Sequence, residues 1–477
     1  MYPTDKFYID GQWVEPMGKA TFTLINPADE QAYGELAMGN ADDVERAVHA
    51  ARRAFADYSR WTPGQRIDLL ERVLSIYKRR YEEFAQAMTL EMGAPIAFSR
   101  AAQAARGSLH IEEIIRVLRS FEFDELQGTT QIRREAIGVC GLITPWNWPI
   151  NQIVVKIAPA LAAGCTIVLK PSEFSALSAL LFAEVLDEAG VPPGVFNLVN
   201  GDGPNVGHAI SAHPDIDMVS FTGSTQAGIR VAKTAADTVK RVAQELGGKS
   251  ANIVLGDADF SQAVSKGIAA CFTNSGQSCS IPTRMLVPAE RMADVVQIAR
   301  IEVAKYRVGD PQDENTQLGP LVNRAQFERV QTLVQRGIDE GAELVCGGVG
   351  RPEGLQQGYY VQPTVFANVT PHMTIAQEEI FGPVLSIIAY HNESEAIAIA
   401  NGTPYGLAAY VQSADLNHAR DMAGHLRAGQ VHLNYPPADI GAPFGGFKQS
   451  GNGREWGAHG LMEYLETKAI VGFSLAN

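Results

Sequence analysis

Residues 139–223 run from VCGLIT (139–144) through CTIVLK (165–170) and VFNLV (195–199) to MVSFTG (218–223), with Ala/Leu-rich stretches such as 175–189 between them. Short β-rich runs that alternate with helical stretches read as βαβ units, and βαβ units build a parallel sheet. A second alternating block follows residue 250. Its strand candidates are ANIVL, RMLVP, ELVCG, VLSIIAY, LAAYV and GQVHLN, separated by helices such as 324–340 and 393–400; it reads as a second α/β domain. Upstream, residues 42–57 place Val44, Ala47, Val48, Ala51 and Phe55 at helical spacing, and 63–90 and 97–120 continue the pattern. The N-terminal third is therefore expected to be largely helical. Two segments lack a local sheet: 122–138, of mixed strand character, and the tail 461–473, which also reads as a strand. They are expected to pair with each other or with another subunit.

A chain of 477 residues is long enough for two or three domains at roughly 100–200 residues each. With 46% hydrophobic and 19% charged residues it has the balance of a compact protein, not a disordered one. The 39 Lys and Arg against 53 Asp and Glu leave a formal charge of −14, which repels phosphate backbones and anionic lipid. No basic patch overrides that field, so neither nucleic acid nor a membrane surface is expected as a partner. The longest weakly charged run, between Lys156 and Lys170, is interrupted by Pro159 and falls short of the roughly 20 apolar residues a span requires. The opening MYPTDKFYID lacks a basic region followed by an apolar run, and a cytoplasmic location is expected. Five cysteines, odd in number and without a CxxC pair, do not make a disulfide framework.

Several familiar templates fail on spacing. Gly248-Lys249-Ser250 resembles the end of a phosphate-binding loop, but the earlier glycine it requires is Ala243. Gly201 and Gly203 follow a strand candidate, yet the third glycine is Gly207 where the dinucleotide fingerprint wants position 206. There is no HExxH, no ligand spacing among the histidines and no GxSxG, so no metal site is expected.

What remains is Cys279 in NSGQSCS, among small polar residues where an inert cysteine would more often sit, as Cys165 and Cys346 do, beside aliphatic strand residues. Glu245 in QELGGKS is a carboxylate at a strand end beside two glycines that allow close backbone approach, a candidate general base. Asn147 in TPWNWP is an amide between two tryptophans and two prolines, rigid enough to aim an N–H at an oxyanion. Each alone has a blander reading: packing filler, a solvated surface carboxylate, a turn residue. A thiol, a base and an oxyanion donor are three parts of one acyl-transfer site.

With these segments in order, TPWNWP, LKPSE, FTGSTQAG, ELGGKS, NSGQSC, EEIFGPV and PFGGFKQSGNGRE, the chain resembles the aldehyde dehydrogenase superfamily over nearly its whole length. The resemblance implies an α/β fold with a Rossmann-type cofactor domain (1–117 and 137–246), a catalytic domain (247–447) and a β oligomerisation arm (118–136 and 448–477) that joins subunits into a homodimer or homotetramer. It implies Cys279 as nucleophile, Asn147 with the Cys279 N–H as oxyanion hole, and Glu245 as base for the deacylating water. Lys156 and Glu455 match positions that relay a proton from the base. The cofactor, NAD, would lie along Thr144, Pro145, Trp146, Lys170, Glu173, Gly223, Ser224, Glu379 and Phe381. In that match Lys170 and Glu173 take the adenosine ribose hydroxyls, Ser224 the pyrophosphate and Glu379 the nicotinamide ribose. A carboxylate such as Glu173 at the ribose 2′-hydroxyl disfavours NADP by like-charge repulsion.

The implied reaction oxidises a small-molecule aldehyde to the carboxylic acid through a Cys279 thiohemiacetal and thioester, as in the hydrolytic enzymes of class 1.2.1. A semialdehyde-specific enzyme is a narrower form of that reading; a CoA-acylating enzyme has less use for Glu245, and a silent scaffold has no use for the three site residues together. Val155 stands where many relatives carry a large aromatic, and Ser278 and Ser280 beside the cysteine offer no basic group for a carboxylate-bearing semialdehyde. An arginine from elsewhere in the fold could supply one.

Overall fold

The computed structural model of the protein describes residues 2–474. Eight strands form one sheet, in the order Gly451–Asn452, Arg241–Glu245, Met218–Thr222, Val139–Ile143, Thr166–Lys170, Phe196–Leu198, Phe7–Ile9 and Gln12–Val14. The five strands from Arg241–Glu245 to Phe196–Leu198 run parallel, as the βαβ alternation requires. The strands at Val139, Thr166 and Met218 are buried at every residue, which is why they read as apolar runs without alternation. The helix Pro149–Ala163 between the first two is likewise buried throughout; Pro149 starts it and the left-handed Gly164 ends it.

Strand order reverses beside Val139–Ile143. The next strand in sequence pairs on one side of it, and Met218–Thr222 pairs on the other. Such a switch point leaves a crevice beyond the carboxyl ends of the two strands, where ligands of open α/β sheets bind. The chain leaving one strand there is Pro145–Asn147, and that leaving the other is Gly223–Ser224.

A second, seven-stranded sheet is ordered Glu343–Cys346, Thr364–Ala367, Val384–Tyr390, Arg284–Pro288, Ala251–Val254, Ala408–Gln412 and Gln430–Leu433. Only the first pair is antiparallel. All six strands expected after residue 250 are present; Thr364–Ala367 is additional.

The N-terminal third departs from the expected helical character. Helices do occupy Ala41–Tyr58, Pro63–Arg79, Tyr81–Met92 and Ala104–Ser120, but four strands precede them: Phe7–Ile9, Gln12–Val14, Ala20–Ile25 and Ala32–Met38. The first two are three residues each, too short for periodicity to register, and the other two form a separate two-stranded sheet whose faces are mostly half-exposed.

The two segments without a local sheet pair with each other. Asp124–Gln127 and Thr130–Ala136 form a hairpin, and Leu465–Ile470 adds antiparallel to it, with Leu465 opposite Ala136 and Ile470 opposite Gln131. The tail differs in its first residues, where Gly457–Glu463 is helical. Further back, Gly451–Asn452 is the edge strand of the eight-stranded sheet, against Gln244 and Glu245. No helix among the described residues is long and apolar enough to cross a membrane.

Candidate active site

The crevice at the switch point is a cleft of about 700 Å³ between the two large sheets, within the roughly 300–1,000 Å³ range of cofactor and ligand sites. Pro145, Trp146, Asn147, Gly223, Ser224, Glu245, Cys279, Glu379 and Phe381 all line it. Five other candidates lie outside its lining. Thr144 is buried and its N–H donates to the Lys170 carbonyl. Lys170 is buried with Nζ on the carbonyls of Pro171 and Gly201, and Glu173 lies 3.6 Å from it. Lys156, fully buried, binds Ser220 Oγ at 3.0 Å and pairs with the Glu455 carboxylate.

Cys279 follows a tightly coiled segment. Asn274, Ser275 and Gly276 are successively left-handed, with φ of 55°, 54° and 75°. Two non-glycine residues held there mark a segment over-determined by its surroundings. Those surroundings are side chains. Asn274 Nδ2 donates to the Asn147 carbonyl at 2.7 Å, Gln103 Nε2 donates to that carbonyl and to Asn274 Oδ1, and Gln277 Oε1 accepts from the Val322 N–H. The backbone of Asn147 is thus tied to the loop that carries Cys279. Asn147 Nδ2 donates one hydrogen to the Gln277 carbonyl at 3.1 Å, which leaves its second for another acceptor. Trp148 Nε1 donates to Ser278 Oγ at 2.6 Å.

The glycines of ELGGKS permit close approach. A Cβ on Gly248 would collide with the Cys279 carbonyl oxygen, and one on Gly247 with the Glu379 carboxylate. The Gly248 N–H donates to Glu379 Oε1 at 3.0 Å. Gln326 and Arg329, one turn apart on the helix Arg324–Asp339, hold the loop of Glu379 and Phe381 by its carbonyls. Neither these two nor Gln103 and Asn274 were found by sequence reading, because bonds to distant carbonyls leave no local spacing.

Glu245 is the electrostatic outlier. It ends its strand buried, and neither carboxylate oxygen has a hydrogen-bond partner. Burial and then the charge of Glu455 hold its carboxyl well above the usual range. Burial pushes Glu379 up to about 7, against the opposing pull of the Gly248 N–H. Burial and then the charges of Glu379 and Glu245 push the thiol of half-buried Cys279 up.

The cleft also fits a dinucleotide. Ser224 caps the helix Thr225–Ala235 by accepting from the Ala227 N–H, and both Ser224 and Thr225 line the cleft, so a helix N-terminus meets whatever anion lies there. Trp146 and Phe381 meet edge to face at 5.4 Å in its wall. Among the described residues no group of three or more His, Cys, Asp or Glu side chains is placed to hold a metal ion.

The chain is 57% identical to aldehyde dehydrogenase C of Pseudomonas syringae, solved as a cysteine-to-alanine variant with NAD⁺ and octanal; the two superpose with a TM-score of 0.99 over 99% of this chain and 98% of that one. The indole-3-acetaldehyde dehydrogenase of P. syringae, also solved with NAD⁺, is 38% identical, with a TM-score of 0.95 over 98% and 96% of the chains. A 3-succinoylsemialdehyde-pyridine dehydrogenase of a Pseudomonas species is 54% identical over 98% of both chains. The profile of the aldehyde dehydrogenase family matches residues 13–470, and with the fold and sequence agreeing over that length the chain belongs to the aldehyde dehydrogenase family.

Proposed function

We propose that Cys279, Asn147 and Glu245 are the working groups of an NAD-dependent, hydrolytic aldehyde dehydrogenase. The observation that carries this reading is the Glu245 carboxylate, buried without a single hydrogen-bond partner in the same cleft as the Cys279 thiol. A structural carboxylate so placed would be satisfied, because leaving it bare costs several kcal/mol by order of magnitude. A base that must accept a proton from water is left bare.

The Cys279 thiol gives up its proton to water in the cleft as Sγ adds to the aldehyde carbonyl, and the free Asn147 Nδ2 hydrogen and the Cys279 N–H meet the oxygen as it gains charge. The chemistry supplied by bound NAD is acceptance of a hydride. Cys279 then holds the acyl group as a thioester. Glu245 takes a proton from the water that hydrolyses it, and the carboxylic acid leaves. The ion pair of Lys156 and Glu455, whose charges both act on Glu245, would pass that proton on. Lys170 and Glu173 would hold the adenosine ribose, where Glu173 favours NAD over NADP, and Glu379 the nicotinamide ribose. The three-stranded sheet, with its outer strand Leu465–Ile470 largely exposed, is the surface through which subunits would join; a stable monomer in light scattering overturns that assembly.

The test is Glu245→Gln. A burst of one NADH per Cys279 is expected to survive, while steady turnover falls by roughly 10²- to 10⁴-fold. Loss of the burst as well would move Glu245 into acylation.

A further inference from the structure

Beyond the cleft lining, the helix Ala104–Ser120 starts directly after the π-turn Ser99–Gln103. Gln103 reaches the Asn147 carbonyl, and about one turn further along the same helix is Arg106. Arg106 is half-buried, and among the described residues it makes neither an ion pair nor a hydrogen bond. The nearby carboxylates are spoken for: Glu113 binds Arg116, and Glu455 pairs with Lys156. The guanidinium lies 5.9 Å from the ring centre of Trp456, whose indole stacks on Phe444 at 4.7 Å and meets His110 at 5.2 Å. Trp456 is itself left-handed, with φ of 71°, a conformation few non-glycine residues adopt. Phe444 and Glu455 bridge through both backbone hydrogen bonds, and the neighbouring Gly445 packs against Glu245 Oε1. The cluster is therefore joined to the reaction centre at both Asn147 and Glu245.

A second donor stands beside the arginine. His110 is pushed down to about 3 by burial and then by the Arg106 charge, and so stays uncharged. Its Nε2 lies 3.0 Å from Asn151 Oδ1, an oxygen that only accepts, so Nε2 carries the proton. The Asn151 Nδ2 hydrogens are then without an acceptor among the described residues, and Asn151 sits one turn after Asn147 on the next helix.

We propose that Arg106, with Asn151, receives a carboxylate at the end of the substrate remote from the aldehyde, which makes an ω-carboxylated aldehyde the preferred substrate class. An uncompensated guanidinium beside the Trp456 ring is the group best shaped to take a carboxylate through two parallel N–H bonds. The inference rests on the reading of Cys279 as the atom that attacks the aldehyde, and Arg106 acts in binding alone.

The experiment compares kcat/KM, read as NADH formation, for 6-oxohexanoate against hexanal in the native enzyme, Arg106→Gln and Arg106→Lys. Expected is a preference for 6-oxohexanoate that falls by about 10- to 100-fold in Arg106→Gln, the size of one charge-assisted hydrogen-bonding contact. Arg106→Lys should restore part of it, since the charge remains and the fork is lost. Turnover of hexanal in the same samples reports that each variant is folded. An unchanged ratio in Arg106→Gln overturns the inference and leaves the thiol mechanism standing. Failure of the native enzyme to oxidise either aldehyde overturns both.

Discussion

The cleft and the Trp456 cluster both adjoin the reaction centre, yet they are built from different materials. The cleft is made largely by main chain: the turn after Ile143, the helix start at Ser224, glycines at 247 and 248 that let backbone and carboxylate touch, and a loop at Glu379 held by its carbonyls. The cluster is made by side chains, with Arg106, His110, Asn151, Phe444 and Trp456 arriving from three separate stretches of chain. Main-chain architecture fixes a ligand common to many relatives, whereas side chains on a fixed scaffold can be exchanged one at a time without disturbing it. The cleft should therefore govern whether chemistry happens and the cluster on which aldehyde.

Three substitutions sharpen or break that division. Asn147→Ala removes the proposed side-chain oxyanion donor where the two regions meet; kcat should fall by about 10²- to 10³-fold with NAD affinity held, measured by steady-state kinetics and cofactor titration. An equal loss of NAD affinity would make Asn147 part of the cleft's frame instead. Gly248→Ala forces the Cys279 backbone away from its place, and displacements on the order of 1 Å cost about 10²-fold, so all aldehydes should suffer alike. A variant that lost only acid-bearing substrates would break the division. The smallest effect is expected from Glu379→Gln, about tenfold in NAD affinity with no change in preference among aldehydes.

Glu379 also gives the cleft a pH signature. Its carboxyl is raised to about 7, so below that value it is largely the neutral acid and above it a carboxylate. A ribose hydroxyl donates more strongly to the charged form, and NAD affinity should rise as pH climbs through about 7. In Glu379→Gln that inflection should vanish from calorimetric titrations. Glu245 is raised in the same direction by burial and Glu455, so if it is the base, turnover should also climb with pH, through kcat.

The same contrast decides what could be read without coordinates. The parallel strands were legible because burial on both faces leaves unbroken apolar runs, and Cys279, Glu245 and Asn147 because glycine, proline and tryptophan beside them record where backbone must turn or touch; the cofactor residues followed only from the family resemblance. The opening strands Phe7–Ile9 and Gln12–Val14 were not, since three residues carry no period. Sequence reading could note that Ser278 and Ser280 offer no positive charge and that an arginine elsewhere might; it could not choose Arg106, because nothing at 104–107 differs from an ordinary helix. Gln103, Asn274, Gln326 and Arg329 stayed hidden for the same reason: their partners are carbonyls, and every residue has one.

The strand Gly451–Asn452 and its surroundings bear on how the protein is made. Ser450 Oγ bonds the Gly247 carbonyl across 203 residues of chain, and Lys156 meets Glu455 across 299. Contacts of such sequence separation are slow to form and cannot form at all until the later partner has left the ribosome. Before residues 445–455 are made, the strand that ends in Glu245 is held on one side only, by Met218–Thr222, and Lys156 has no carboxylate partner. The Glu245 side of the cleft is therefore the last part of it to be completed, after the Cys279 loop and the helix start at Ser224.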